Sequence, residues 1–121
     1  MAKTLHLRDC IISLLSSITG LACYHEQASD AKPPYIVFSL DSIPAENTRN
    51  YTLEINLWDK GNSNLIEEKA DIIENTLKKY VYTDELIQFR AYTNTRNNVA
   101  DPKKEIRRRR ITTDLIYYIK E

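Results

Sequence analysis

The sequence predicts an α+β fold, a mostly antiparallel sheet with two helices packed on one face. Three observations carry this. Two segments, 4–19 and 65–80, repeat apolar side chains at three- and four-residue spacing, the period of an amphipathic helix. Several others, ending with a long C-terminal run, alternate at a period of two and are rich in β-branched and aromatic residues. The chain of 121 residues, with two glycines and four prolines, has the length and composition of one domain, 1–121, around a single modest core.

In chain order, Thr4 is placed to cap the first helix. Leu7, Ile11, Leu14, Leu15 and Ile18 form its apolar stripe, and Gly20 stands where a helix end favours positive φ. LACYH reads as a short strand and QASDAKPP as a loop. YIVFSL, 35–40, is dense enough in apolar residues to be a strand buried on both faces. DSIPAENTRN reads as a long polar loop. In YTLEINLW, 51–58, Tyr51, Leu53, Ile55 and Leu57 alternate with polar residues, and Trp58 falls on the polar side. DKGNSN is a turn, and Asn64 with Glu67 resembles a capping pair for the helix 65–80. That helix turns Ile66, Ala70, Ile73, Leu77 and Tyr80 to one side. LIQFRAYT, 86–93, is the next strand, and NTRNNVADPKKE a second long polar loop.

The last segment, RRRRITTDLIYYI, poses the main functional question. From Ile111, the odd positions Ile111, Thr113, Leu115, Tyr117 and Ile119 alternate with Thr112, Asp114, Ile116 and Tyr118, and the pattern extends back through the arginines. This predicts a long strand that sends Arg107 and Arg109 to one face and Arg108 and Arg110 to the other. Because unpaired arginines are costly to bury, part of that strand is expected to project beyond the core.

Charge narrows the function classes. The net charge is zero, which gives no bulk attraction to nucleic acid. Residues 1–100 carry 10 basic and 13 acidic side chains, and residues 101–121 carry 7 basic and 4 acidic. Such asymmetry points to complementarity between parts of the protein or between copies of it. No apolar run is long enough to cross a bilayer, and Arg8 and Asp9 interrupt any signal-peptide core, so the expectation is a soluble, cytoplasm-made protein with no membrane partner.

The chemical constellations are weak. His6, Cys10, Cys23 and His25 supply two cysteines and two histidines, but their spacing matches no common zinc finger, so no metal site is expected. No third group orients a Cys–His pair, no glycine-rich loop cradles phosphate, and Glu67, Glu68 and Asp71 read as a solvated helix face. No enzyme and no cofactor are expected. The basic–aromatic cluster of Lys103, Lys104 and Arg107–Arg110 leaves a small nucleic-acid-binding protein as the alternative from another class.

Four stretches together carry a resemblance. LRDCIISLLSSI, KPPYIVFSL, YTLEINLWDKGNSNLIEEKADIIENTLKKY and RRITTDLIYYI follow one another across nearly the whole chain. In this order the sequence resembles the tail terminators, or tail-completion proteins, of long-tailed bacteriophages and their prophage relatives. The resemblance implies an α+β subunit of a ring, commonly a hexamer, that caps the tail tube and presents a joining surface to the head. It implies the tail-tube protein, a head–tail connector protein and further copies of this chain as partners, DNA passing through the channel, and a place in the virion after assembly in the bacterial cytoplasm. Another neck, connector or head-completion subunit is the nearest alternative. Subunit contacts are expected at Arg107, Arg108, Arg109, Arg110, Trp58 and Tyr118. Partner-contacting loops are expected at Asp41, Glu46, Arg49, Arg96, Lys103 and Lys104. Arg108 and Arg110 are expected to reach acidic groups of a neighbour, in the Asp41–Glu46 loop or the Glu67–Glu74 helix.

Overall fold

The computed structural model describes residues 3–26, 32–44, 49–99 and 105–119. The elements follow as α1 (Lys3–Thr19), β1 (Ala22–His25), β2 (Tyr35–Pro44), β3 (Arg49–Lys60), α2 (Asn64–Leu77), β4 (Tyr80–Thr83), β5 (Ile87–Asn98) and β6 (Ile106–Ile119). The strands form one six-stranded sheet in the order β1-β2-β3-β6-β5-β4. Only β1 and β2 run parallel; the other pairings are antiparallel.

Both helices pack on one face of the sheet. Leu7, Ile11 and Leu15 of α1 and Ile66, Ala70, Ile73 and Leu77 of α2 are buried there. Opposite them stand Ile36 and Phe38 of β2, Leu53, Ile55 and Leu57 of β3, Phe89 and Ala91 of β5, and Ile111 and Leu115 of β6. Paired residues on neighbouring strands share a face, so the register Phe38↔Ile55↔Ile111 lines one apolar row across three strands. Gly20, at φ +73°, ends α1 as its position suggests, and its amide donates to the Ser16 carbonyl at 2.9 Å.

Five expectations need correction. β2 is buried on its helix-facing side only, since Tyr35, Val37 and Ser39 are half-exposed, and it runs on to Pro44. α2 ends at Leu77, and Tyr80 opens a separate strand, β4, which hydrogen-bonds to β5. β5 continues through Asn98, so Arg96 lies in a strand and not in a loop. Glu67 is not part of a capping box: Ser63 is the N-cap residue without a side-chain cap, and the Glu67 carboxylate is used elsewhere.

The fifth correction concerns β6, which does not project. It is an interior strand, with Arg110 paired to Asn56 on one side and Asn97 on the other, and Arg109 likewise to Leu57 and Asn98. Its arginines are divided between the two faces, as the alternation predicts. β5 reaches this register only through a bulge. Thr93 pairs with Thr113 and Thr95 with Thr112, so Asn94 is the extra residue. Before the bulge the odd residues of β5 face the helices; after it the even ones do, and Arg96 is turned toward α2.

Phe38→Ala should test the core. Phe38 is fully buried between the sheet and the helices, and its truncation is expected to cost about 3–5 kcal/mol of unfolding free energy. Urea denaturation followed by circular dichroism measures the shift.

Candidate functional site

The arginines divide into two sites, one on each side of the sheet. On the helix side, Arg109 and Arg96 converge on α2. Arg109 Nε donates to Glu67 Oε1, and Arg96 reaches the same oxygen at 3.1 Å. Arg96 also donates to Asp71 at 2.5 Å and to Glu74 at 3.4 Å. The two guanidiniums are largely shielded, with side chains 19% exposed for Arg96 and 12% for Arg109. The hydrogen bond from Arg109, with that from Arg96, holds the Glu67 carboxyl below its ordinary pKa. The acidic face of α2 is thus matched within its own chain by Arg96 and Arg109.

Among the described residues, the opposite face carries no helix. There Arg108 lies over the indole of Trp58, its guanidinium carbon 4.5 Å from the ring centroid, a cation–π contact. Trp58 stacks on Tyr35 with centroids 6.3 Å apart and an interplanar angle of 19°. Arg108 Nε also donates to Asn56 Oδ1 at 2.9 Å, and Arg110 reaches Glu54 at 3.4 Å. Arg108, Trp58, Tyr35, Asn56 and Glu54 line a cleft of about 360 Å³ together with Val37 and Ser39. Trp58 is half-buried by its own neighbours on the sheet. Farther along this face, Tyr92 and Tyr118 are exposed, and Asn50, Tyr92, Asp114 and Ile116 line a second concavity of about 430 Å³.

Of the other anticipated contact residues, Asp41 is exposed on β2, and Arg49 begins β3 with its side chain outside the described portion. Glu46, Lys103 and Lys104 lie outside the described residues. Arg107 pairs with Asp59 in the β3–β6 register.

The cysteine–histidine quartet is separated. Cys23 and His25 lie on β1, where burial pushes the Cys23 thiol up to about 12. His6 and Cys10, four residues apart on α1, meet Asp84 from the turn between β4 and β5. His6 Nε2 is 2.7 Å from Asp84 Oδ2, and Cys10 Sγ is 3.7 Å from His6 Nε2 and 4.0 Å from Asp84 Oδ2. The Tyr82 hydroxyl donates to Asp84 Oδ2 at 2.7 Å and accepts from Cys10 at 3.3 Å. Asp84 Oδ1 accepts the amides of Leu86 and Ile87 at 2.7 and 2.9 Å. The hydrogen bonds from Tyr82, His6 and the Ile87 amide hold the Asp84 carboxyl far below its ordinary pKa. In the sequence His6 and Cys10 stand four residues apart within a predicted helix and so can share a face, whereas Asp84, 78 residues from His6, carries no local signal.

This cluster is not arranged as a nucleophilic triad. The same imidazole nitrogen, Nε2, faces both the thiol and the carboxylate, so the ring cannot take a proton from Cys10 on one nitrogen while Asp84 orients the other. Burial also raises the Cys10 pKa, the opposite of what a reactive thiolate needs.

The Glu67 cluster should show in acid unfolding. The folded pKa of Glu67 is depressed, so its contribution to stability is present above the ordinary carboxylate range and lost as pH falls through the folded value. Glu67→Gln should therefore be less stable than the wild type near neutrality and converge with it in acid, as measured by urea midpoints across pH. Arg96→Ala should likewise lose stability near neutrality, whereas deleting Asn94 removes the bulge but keeps Arg96 opposite Ile111 on the α2 side and should give a smaller loss, a comparison the same titrations provide.

Neither a comparison with protein-family models nor one with curated proteins finds a match for this chain.

Proposed function

We propose that the protein is a structural subunit that joins copies of itself into a closed ring, in the role that the resemblance to phage tail terminators implies. In that role the ring caps a tail tube and offers a joining surface to the head. The observation that supports this reading is the sheet face without helices. An antiparallel sheet can leave one face to solvent, and then that face is usually polar. Here it carries Tyr35, Trp58, Tyr92, Ile116 and Tyr118 among arginines, the residue types favoured where protein surfaces meet. A ring requires a heterologous contact, so this face of one copy would meet a different surface of the next.

The nucleic-acid alternative is weakened by the division of the arginines. Arg109 is held by Glu67 on the helix side, while Arg108 and Arg110 engage Asn56, Trp58 and Glu54 on the other. They do not make one stripe of four charges along a phosphate backbone.

Light scattering over a range of concentration and salt, with negative-stain imaging, tests the proposal. Closed rings of one size are the expected result. Replacing both Tyr92 and Tyr118 with Lys should abolish rings while changing monomer stability by no more than about 0.5 kcal/mol, because both are exposed strand positions. A chain that stays monomeric throughout and binds duplex DNA with a steep salt dependence would overturn it.

A further inference from the structure

We propose that His6 Nε2, Cys10 Sγ and Asp84 Oδ2 form a binding site for a divalent cation of zinc-like softness. The site is independent of the open sheet face and lies at the other side of the molecule, between α1 and the β4–β5 turn. The three ligand atoms lie within 4.8 Å of one another. A tetrahedral zinc site places its nitrogen and oxygen ligands about 3.4 Å apart and its sulfur about 3.6 Å from each. The separations here are 2.7 Å for nitrogen to oxygen, and 3.7 and 4.0 Å from sulfur to nitrogen and oxygen. Small side-chain rotations that open the first and close the last bring all three onto one centre.

The chemistry of the set selects the ion. A thiolate with an imidazole suits zinc and its borderline neighbours, whereas magnesium and calcium take oxygen donors. One thiolate and one carboxylate balance a divalent charge, with the imidazole neutral. On binding, the Cys10 thiol proton passes to water. The His6 ring keeps its single proton on Nδ1, freeing Nε2 to coordinate, so no oxidant or further reactant is needed.

The support around the ligands is that of a built site. Two backbone amides fix Asp84 Oδ1, leaving Oδ2 to face His6 and Cys10. Tyr82 lies within hydrogen-bond reach of both Asp84 and Cys10, and its ring stacks on the buried Phe89 at 5.2 Å. The ligands come from a helix face and a tight turn, both anchored in the core. Beside them opens a groove of about 480 Å³, lined also by Asp9, Ser13 and Tyr80, which gives a fourth ligand, water or a partner's side chain, access to the ion. Three protein ligands with one accessible position is the arrangement of a zinc site that stays open to exchange.

The test uses tag-free protein and Co²⁺ as a spectroscopic stand-in, with Zn²⁺ as competitor. One equivalent of Co²⁺ should produce a thiolate-to-metal charge-transfer band that Zn²⁺ abolishes. Cys10→Ser should lose the band, Cys23→Ala should keep it, and Tyr82→Phe should weaken affinity about tenfold. A measurement on the unaltered chain stands beside these variants. Zn²⁺ should slow alkylation of Cys10, read by mass spectrometry, and leave Cys23 unchanged. Failure of Zn²⁺ to protect Cys10, or a charge-transfer band that survives in Cys10→Ser, would overturn the site and leave the cluster as a hydrogen-bonded staple between α1 and the sheet.

Discussion

The structure depends on one constraint: β6 is an interior strand that carries four consecutive arginines, Arg107–Arg110, near its start. An interior strand is paired along both edges, so its backbone is satisfied, but its side chains must be accommodated on both faces of the sheet. From Ile111 onward this is simple, because the odd positions feed the core. At the arginine end it is demanding. Arg109 points into the helix layer, where an isolated charge would be prohibitive, and α2 answers with Glu67. The bulge at Asn94 brings Arg96 to the same carboxylate from the next strand, so two cations and three acids form one network joining β5, β6 and α2. On the other face, water reaches the guanidiniums, and weaker partners suffice.

Much of this plan was legible in the sequence. The stripe Leu7, Ile11, Leu15 and the alternation Tyr51, Leu53, Ile55, Leu57 place their residues in the core as read. The division of Arg107–Arg110 between faces followed from the same period of two. What the sequence hid were features with no period of their own. β4 spans Tyr80–Thr83 and directly follows a helix whose apolar stripe Tyr80 continues in spacing. The second half of β5, with Thr95, Arg96, Asn97 and Asn98, is polar on both sides, because one face meets an acidic helix and the other meets solvent. Its strand character comes from backbone pairing with β6, which no side-chain pattern encodes.

The two candidate sites differ in legibility for a related reason. On the open sheet face, Trp58 and Tyr118 stand out in the sequence, since an apolar residue breaking an alternation is visible locally. The His6–Cys10–Asp84 cluster is a product of topology. Only the packing of α1 near the far edge of the sheet brings a turn beyond β4 to the first helix. A carboxylate between two strands reads in sequence as a turn residue, and Asp84 is that as well, accepting two amides with one oxygen while turning the other to α1.

The position of Trp58 has a consequence for how this molecule can be watched. It is the chain's single tryptophan, and it sits on the sheet face without helices, half-buried between a tyrosine ring and a guanidinium. Its fluorescence therefore reports on one side of the protein alone. A body settling on that face, or the withdrawal of Arg108 from the indole, changes the polarity around the emitting ring. Events confined to the far side of the sheet leave that ring's immediate surroundings in place. The fold carries its own label, attached where contact with another molecule would be felt first.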